Sequence, residues 1–97
     1  MFDSIIRFAQ IENGMKLLDL FCGFGSFSVY LAERFPGCQI TALASSRDQR
    51  NYIQQQISEK KLKNLQVRVE KINDFSTDKK FDRIIAIELF DIEKVNR

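Results

Sequence analysis

The 97-residue chain has no histidine, a single proline, four glycines and two cysteines. Without histidine it lacks the one side chain that ordinarily titrates near neutrality, so any proton transfer at physiological pH falls to other groups. With so little proline and glycine there is no linker or low-complexity tract, and no internal repeat is visible. Nor is there an excess of one charge: fifteen lysines and arginines against thirteen acids give +2, and the two signs are interleaved. That excludes the single-sign patch that phosphate-backbone binding needs, so nucleic acid is not an expected partner. No apolar run approaches membrane-spanning length. Residues 1–10 carry Asp3 and Arg7 among short apolar pairs, which excludes a secretory hydrophobic region. These readings predict a cytoplasmic protein, folded as one small domain over 1–97 around one modest core.

What is present is a succession of short periodic segments. Phe2, Ile5, Ile6 and Ala9 recur at helical spacing, so an amphipathic helix opens the chain and ends at Asn13-Gly14. Leu17, Leu18, Leu20 and Phe21, interrupted by Asp19, predict a central strand buried on both faces. From Ser26, the apolar residues Phe27, Leu31 and Phe35 fall at i, i+4 and i+8, and Pro36-Gly37 stops that helix. Gln39 to Ala44 reads as a second strand. The following Ser45-Ser46-Arg47-Asp48-Gln49 offers a capping box in either of two registers for a helix from about Arg47 to Lys61. Leu65, Val67 and Val69 alternate with Gln66, Arg68 and Glu70, as in a strand with one wet face near a sheet edge. After a turn at Asp78-Lys79-Lys80, Phe81 to Ile87 is almost continuously apolar, the mark of a strand meant to have neighbours on both sides.

Strands alternating with helices imply right-handed crossovers and an α/β fold, with a partial parallel sheet of about four strands in the order 3-2-1-4. The first strand is then central, and the fourth presents an exposed apolar edge open to self-association. Cys22 follows the first strand and Cys38 precedes the second, at opposite ends of neighbouring strands. About five residues at roughly 3.3 Å each separate them beyond the ~7 Å reach of a disulfide. Both are expected to be free thiols.

The turn Gly23-Phe24-Gly25 joins the first strand to a helix that starts at once. Such a turn turns backbone N–H groups toward an anionic ligand, although one or two glycines also serve sharp geometry alone. Three companions project from the carboxyl ends of the strands, where ligands collect in parallel sheets. They are Asp19 before the turn, Gln49 after the second strand and Glu88 after the fourth.

With these residues in place the sequence resembles class I S-adenosylmethionine-dependent methyltransferases. LLDLFCGFGSFSVYLAERFPGCQITALASSRDQRNYI and FDRIIAIELFD are most similar to the branch holding coclaurine N-methyltransferases and cyclopropane fatty acid synthases, with its LxxGCGxGS, ITGLxxSxxQ and FDRIxSIEMFEH segments. The resemblance runs from about Met15 to Asp91 and implies a Rossmann-like three-layer sandwich. It implies S-adenosylmethionine as cofactor, with Asp19, Phe21, Gly23 and Gly25 around the methionine part. Leu43, Ser45 and Gln49 would lie on the ribose side, Ile72 and Asn73 beside the adenine, and Ile87 and Glu88 at the fourth strand. A small-molecule or lipid methyl acceptor follows from the same resemblance, and no metal does. Each residue has a plainer alternative: Asp19 as a turn-fixing acceptor, Gln49 as a helix cap, Phe21 and Phe24 as packing, Glu88 as the first solvated residue after a strand, and Cys22 as a small apolar group.

Three positions depart from the pattern. Phe21 stands where glycine is usual, in a DLFCG form that also occurs in RNA and DNA methyltransferases; Lys71 replaces a common acid near the adenine; and Asp91-Ile92 replaces Glu-His. Asp91 is therefore the candidate catalytic group, able to accept a proton or pair with a cationic amine. The strands and segments that complete such an enzyme beyond the fourth strand have no counterpart in the chain. The expectation is a truncated, cofactor-binding portion with little or no turnover of its own. The alternative is a non-catalytic interaction protein that keeps the fold and pairs through its fourth strand.

Overall fold

The computed structural model describes residues 2–20, 22–70 and 80–86. In chain order the elements are α1 (Phe2–Ala9), β1 (Lys16–Asp19), α2 (Ser26–Arg34), β2 (Gln39–Ala44), α3 (Arg47–Lys60), β3 (Leu65–Val69) and β4 (Arg83–Ile85). The strands make one parallel sheet in the order β3-β2-β1-β4, as the alternation of elements predicts. β1 can occupy the middle because Leu17, Leu18 and Asp19 are all buried.

Register sets Leu17 beside Ile40, and Asp19 beside both Ala42 and Ile85. Period-two alternation therefore places Leu17, Asp19, Ile40, Ala42, Ala44 and Ile85 on one face. The apolar members of that row join Ile6, Phe27, Leu31, Ala32 and Ile53 in a single core. All three described helices thus contribute to the packing on this face, and Asp19 is the carboxylate among them.

The helix ends show where local signals competed. The Asn13-Gly14 stop signal set the expected end of α1, but the helix stops at Ala9. Gln10 adopts a left-handed φ of 55°; its N–H donates to the Arg7 carbonyl (3.2 Å) and that of Ile11 to the Ile6 carbonyl (3.1 Å). This is the Schellman closure, and it buries Ile11 against the helix it ends. Asn13-Gly14 instead make the turn into β1: the Gly37 N–H donates to Asn13 Oδ1 (2.8 Å) and the Gly14 N–H to the Gly37 carbonyl (3.2 Å). α3 closes in the same manner at Lys61, φ 55°, with the Leu62 N–H donating to the Ile57 carbonyl (3.0 Å). The carboxyl end of α2 is satisfied from a distance, Asn64 Nδ2 donating to the carbonyls of Ala32 (3.1 Å) and Phe35 (3.0 Å).

α1 is fastened to α2 at the surface. Phe2 lies 5.0 Å from the Phe27 ring and 5.3 Å from that of Tyr30, centroid to centroid. The Tyr30 hydroxyl donates to Asp3 Oδ1 (2.7 Å), and the Arg34 guanidinium pairs with the same oxygen. At the sheet's other margin β4 is shorter than the apolar run 81 to 87 implied, and Ile87 lies outside the described residues. Its entrance is tied to β1, the Lys16 N–H donating to Asp82 Oδ2 (2.8 Å) and the Asp82 N–H to the Lys16 carbonyl (2.8 Å). Both cysteines are free thiols, and no helix among the described residues is long and apolar enough to cross a membrane.

Candidate functional site

The direction of strand addition reverses at β1, which has β2 on one side and β4 on the other. The carboxyl ends of strands at such a reversal form a crevice in open α/β sheets. The chain leaving β1 is stitched to both neighbours: the Leu20 N–H donates to the Ile85 carbonyl (2.8 Å), and the Cys22 N–H to the Leu43 carbonyl (3.4 Å). Beneath this crossing sits Asp19, 2 % exposed. The Ser28 hydroxyl, from the first turn of α2, donates to its Oδ2 at 2.7 Å.

The two glycines of the turn do different work. Gly25 has φ 83°, and a Cβ there would lie 2.7 Å from Ile53 Cγ1, so glycine lets the turn close down on α3. Gly23 has φ 56°, and a Cβ there would meet nothing within 4 Å. Its bareness leaves open space above the strand end. Gly25 is also the N-cap of α2 and supplies no side-chain cap. The first amides of α2 therefore carry the unmatched N–H groups and partial positive charge of a helix start, on the side of the sheet where Asp19 ends its strand.

Cys22 lies in the same turn. Burial, and then the charge of Asp19, push its thiol up to about 12, which keeps it protonated at neutral pH. No group of three histidine, cysteine, aspartate or glutamate side chains able to hold a metal occurs among the described residues.

At the end of β2 the capping box takes the later register. Ser46 is the N-cap of α3, its hydroxyl accepting from the Gln49 N–H (3.2 Å). The Gln49 side chain reaches one residue further back than a standard box, Oε1 accepting from the Ser45 N–H (3.0 Å) and hydroxyl (2.9 Å). Gln49 is thus a cap in this structure, with its oxygen committed. Leu43 is buried and lends the turn its carbonyl. Phe24 projects from the turn edge-on to Tyr52 of α3, centroids 5.6 Å apart, with both rings about half exposed.

A buried acid under a glycine turn at a strand reversal is a common arrangement, so comparison with known proteins decides the family. The family model described as mycolic acid cyclopropane synthetase matches residues 1–97. The chain belongs to the mycolic acid cyclopropane synthetase family. Among its relatives are (S)-coclaurine N-methyltransferase of Papaver somniferum, 40% identical over 91 residues that cover 94% of this chain and 26% of that protein, and (S)-tetrahydroprotoberberine N-methyltransferase of Eschscholzia californica, 41% identical over 80 residues, 82% of this chain and 23% of that protein. The crystal structure of coclaurine N-methyltransferase bound to N-methylheliamine and SAH superposes with a TM-score of 0.85 at 31% identity, covering 89% of this chain and 25% of that one. The match establishes a Rossmann-like methyltransferase fold. The chain spans about a quarter of the length of these relatives.

Of the site residues expected for a cyclopropane synthetase relative, the structure gathers Asp19, Gly23, Gly25, Leu43, Ser45 and Gln49 around the carboxyl ends of β1 and β2. Phe21, Ile72, Asn73, Ile87, Glu88 and Asp91 lie outside the described residues. One residue was missed. Ser28 reads in sequence as an ordinary member of α2, and the only signal was a small polar residue between the buried Phe27 and Val29.

Proposed function

We propose that this chain is the S-adenosylmethionine-binding portion of a methyltransferase acting on a small molecule or lipid, a single partial domain over 1–97. The observation that carries the reading is the buried Asp19 carboxylate beneath the start of α2, which has no side-chain cap, with open space at Gly23. The methionine end of the cofactor is a zwitterion. Asp19 offers its ammonium an acceptor, and the turn and first helical amides offer its carboxylate donors, so the residues present fit the group. When bound, the cofactor supplies an electrophilic methyl on a sulfonium centre.

By the resemblance, Phe21 and Gly25 would also serve the methionine end. Leu43, Ser45 and Gln49 would serve the ribose side, where Gln49 would offer its Nε2 group because its oxygen is held by Ser45. By the same resemblance, Ile72 and Asn73 would serve the adenine, and Ile87 and Glu88 would belong to the same site. The chain's own contribution to transfer is alignment, which governs an in-line displacement, with Asp91 accepting a proton from the acceptor amine or pairing with its charge. N-methyltransferases among the relatives support a small-molecule acceptor. A chain a quarter of their length is expected to bind its cofactor with little or no turnover. Calorimetric titration with S-adenosylhomocysteine tests the reading: saturable heat and a raised Tm are expected, and the absence of both at millimolar ligand overturns it.

A second reading is favoured by Ile84 of β4, 61 % exposed, and Phe8 of α1, 80 % exposed. In it the chain is a non-catalytic interaction protein that pairs through its fourth strand. A stable dimer in size-exclusion chromatography, indifferent to S-adenosylhomocysteine, selects it.

A further inference from the structure

A hydroxyl deep in a helix bonds readily to the carbonyl four residues earlier, but Ser28 lies in the first turn of α2 and the residue four back, Phe24, precedes the helix. Ser28 is fully buried between Phe27 and Val29, and its hydroxyl crosses from α2 to the end of β1, donating to Asp19 Oδ2 at 2.7 Å. That length is ordinary for a hydroxyl–carboxyl hydrogen bond. It matters for geometry because the terminal torsion of aspartate is broad and roughly two-fold. A donor fixed on a helix removes that freedom, and this helix is the one whose amides face the same end of the sheet.

We propose that Ser28 is a positioning residue: it orients the Asp19 carboxylate toward the ammonium of a bound donor's amino-acid tail, so it sets affinity for the tail and not for the nucleoside. The inference rests on the cofactor reading above. A purely structural Ser28 would stabilise the turn as a whole, and every ligand would then suffer alike. An orienting Ser28 discriminates between ligands that carry the tail and ligands that lack it.

The test compares the wild-type chain, Ser28→Ala and Ser28→Cys by titration with two probes. S-adenosylhomocysteine carries the amino-acid tail; 5′-methylthioadenosine has the same nucleoside without it. Loss of an orienting hydrogen bond to a charged group predicts roughly tenfold weaker binding of S-adenosylhomocysteine by Ser28→Ala, with 5′-methylthioadenosine bound within about twofold of wild type. Ser28→Cys, nearly the same shape with a weaker donor, falls between, and it carries the contrast by itself if the alanine variant does not fold. Equal loss for both probes, or no loss for either, overturns the role of Ser28 while leaving the cofactor reading intact. A wild-type chain that binds neither probe removes the cofactor reading, and the role of Ser28 with it.

Discussion

The two edges of the sheet are built by different rules. β3 alternates: Leu65 is buried against the core, while Gln66 and Arg68 face water and Arg68 pairs with Glu70. Charged and polar residues of this kind protect an edge from pairing with another chain. Among the described residues β4 has no such guard. Ile84 stands exposed at its centre with Phe8 of α1 nearby in exposure, and the polar groups flanking it are turned to other work. Arg83 donates to the Ala9 carbonyl, and Asp82 accepts from the Lys16 N–H. The comparison teaches that β3 is finished as an edge, whereas β4 has the composition of an inner strand.

The comparison can be broken most directly by truncating one apolar residue on each edge strand. Leu65→Ala on β3 is expected to cost about 2–5 kcal/mol, the usual range for emptying a buried leucine site. Ile84→Ala on β4 should stay within about 0.5 kcal/mol, as for exposed positions. Urea midpoints at unchanged slope measure both, and equal losses would show that the β4 edge is covered after all.

The same contrast of closed and open sides runs through the turn after β1. Gly25→Ala puts a methyl 2.7 Å from Ile53 at φ 83°, so left-handed strain and overpacking add to about 2–4 kcal/mol. Gly23→Ala meets only the left-handed strain, about 1–2 kcal/mol, with no steric conflict. If Gly23→Ala nevertheless abolished binding of S-adenosylhomocysteine in titration, the open space there would be confirmed as ligand space by a loss that stability cannot explain.

The smallest effects concern pH, and their signs differ between the turn and the α1 surface. At Cys22 the folded thiol is raised to about 12 from 9.0. Its neutral form is favoured by the fold, so its contribution is present below pH 9.0 and is lost as pH rises toward 12. Cys22→Ala should flatten that part of an alkaline unfolding curve. At Asp3 the Tyr30 hydroxyl, and then the Arg34 guanidinium, hold the carboxyl below its ordinary 3.8. That contribution is present above the ordinary value and is lost as pH falls through the lowered one. Exchange of the α1 amides should accelerate there first, and Asp3→Asn should remove the dependence.

Much of the architecture was legible because it is written in short range. Alternation of apolar periods gave the element order, and two glycines after a strand marked the turn. The capping box was legible too, though only packing chose Ser46 over Ser45 as the cap. α1 was read four residues too long because Asn13-Gly14 is a strong local stop signal, while Gln10 enters the left-handed region only because Ile11 gains a buried place beside Ile6. Ser28 and Asn64 gave no local sign at all. Their partners lie nine and about thirty residues away, and no periodicity encodes a contact at that separation.

By itself, then, the sequence determined which segments are strands and helices, which strand is central, and that an acid and a glycine turn meet at its end, because each depends on neighbouring residues or on hydrophobic period. Only the tertiary structure decided that Gly25 serves the packing of Ile53 while Gly23 leaves space, that Gln49 spends its oxygen on Ser45, and that Asp19 is held by Ser28. Those outcomes depend on how two layers approach each other, and the distance between layers is set by the whole core.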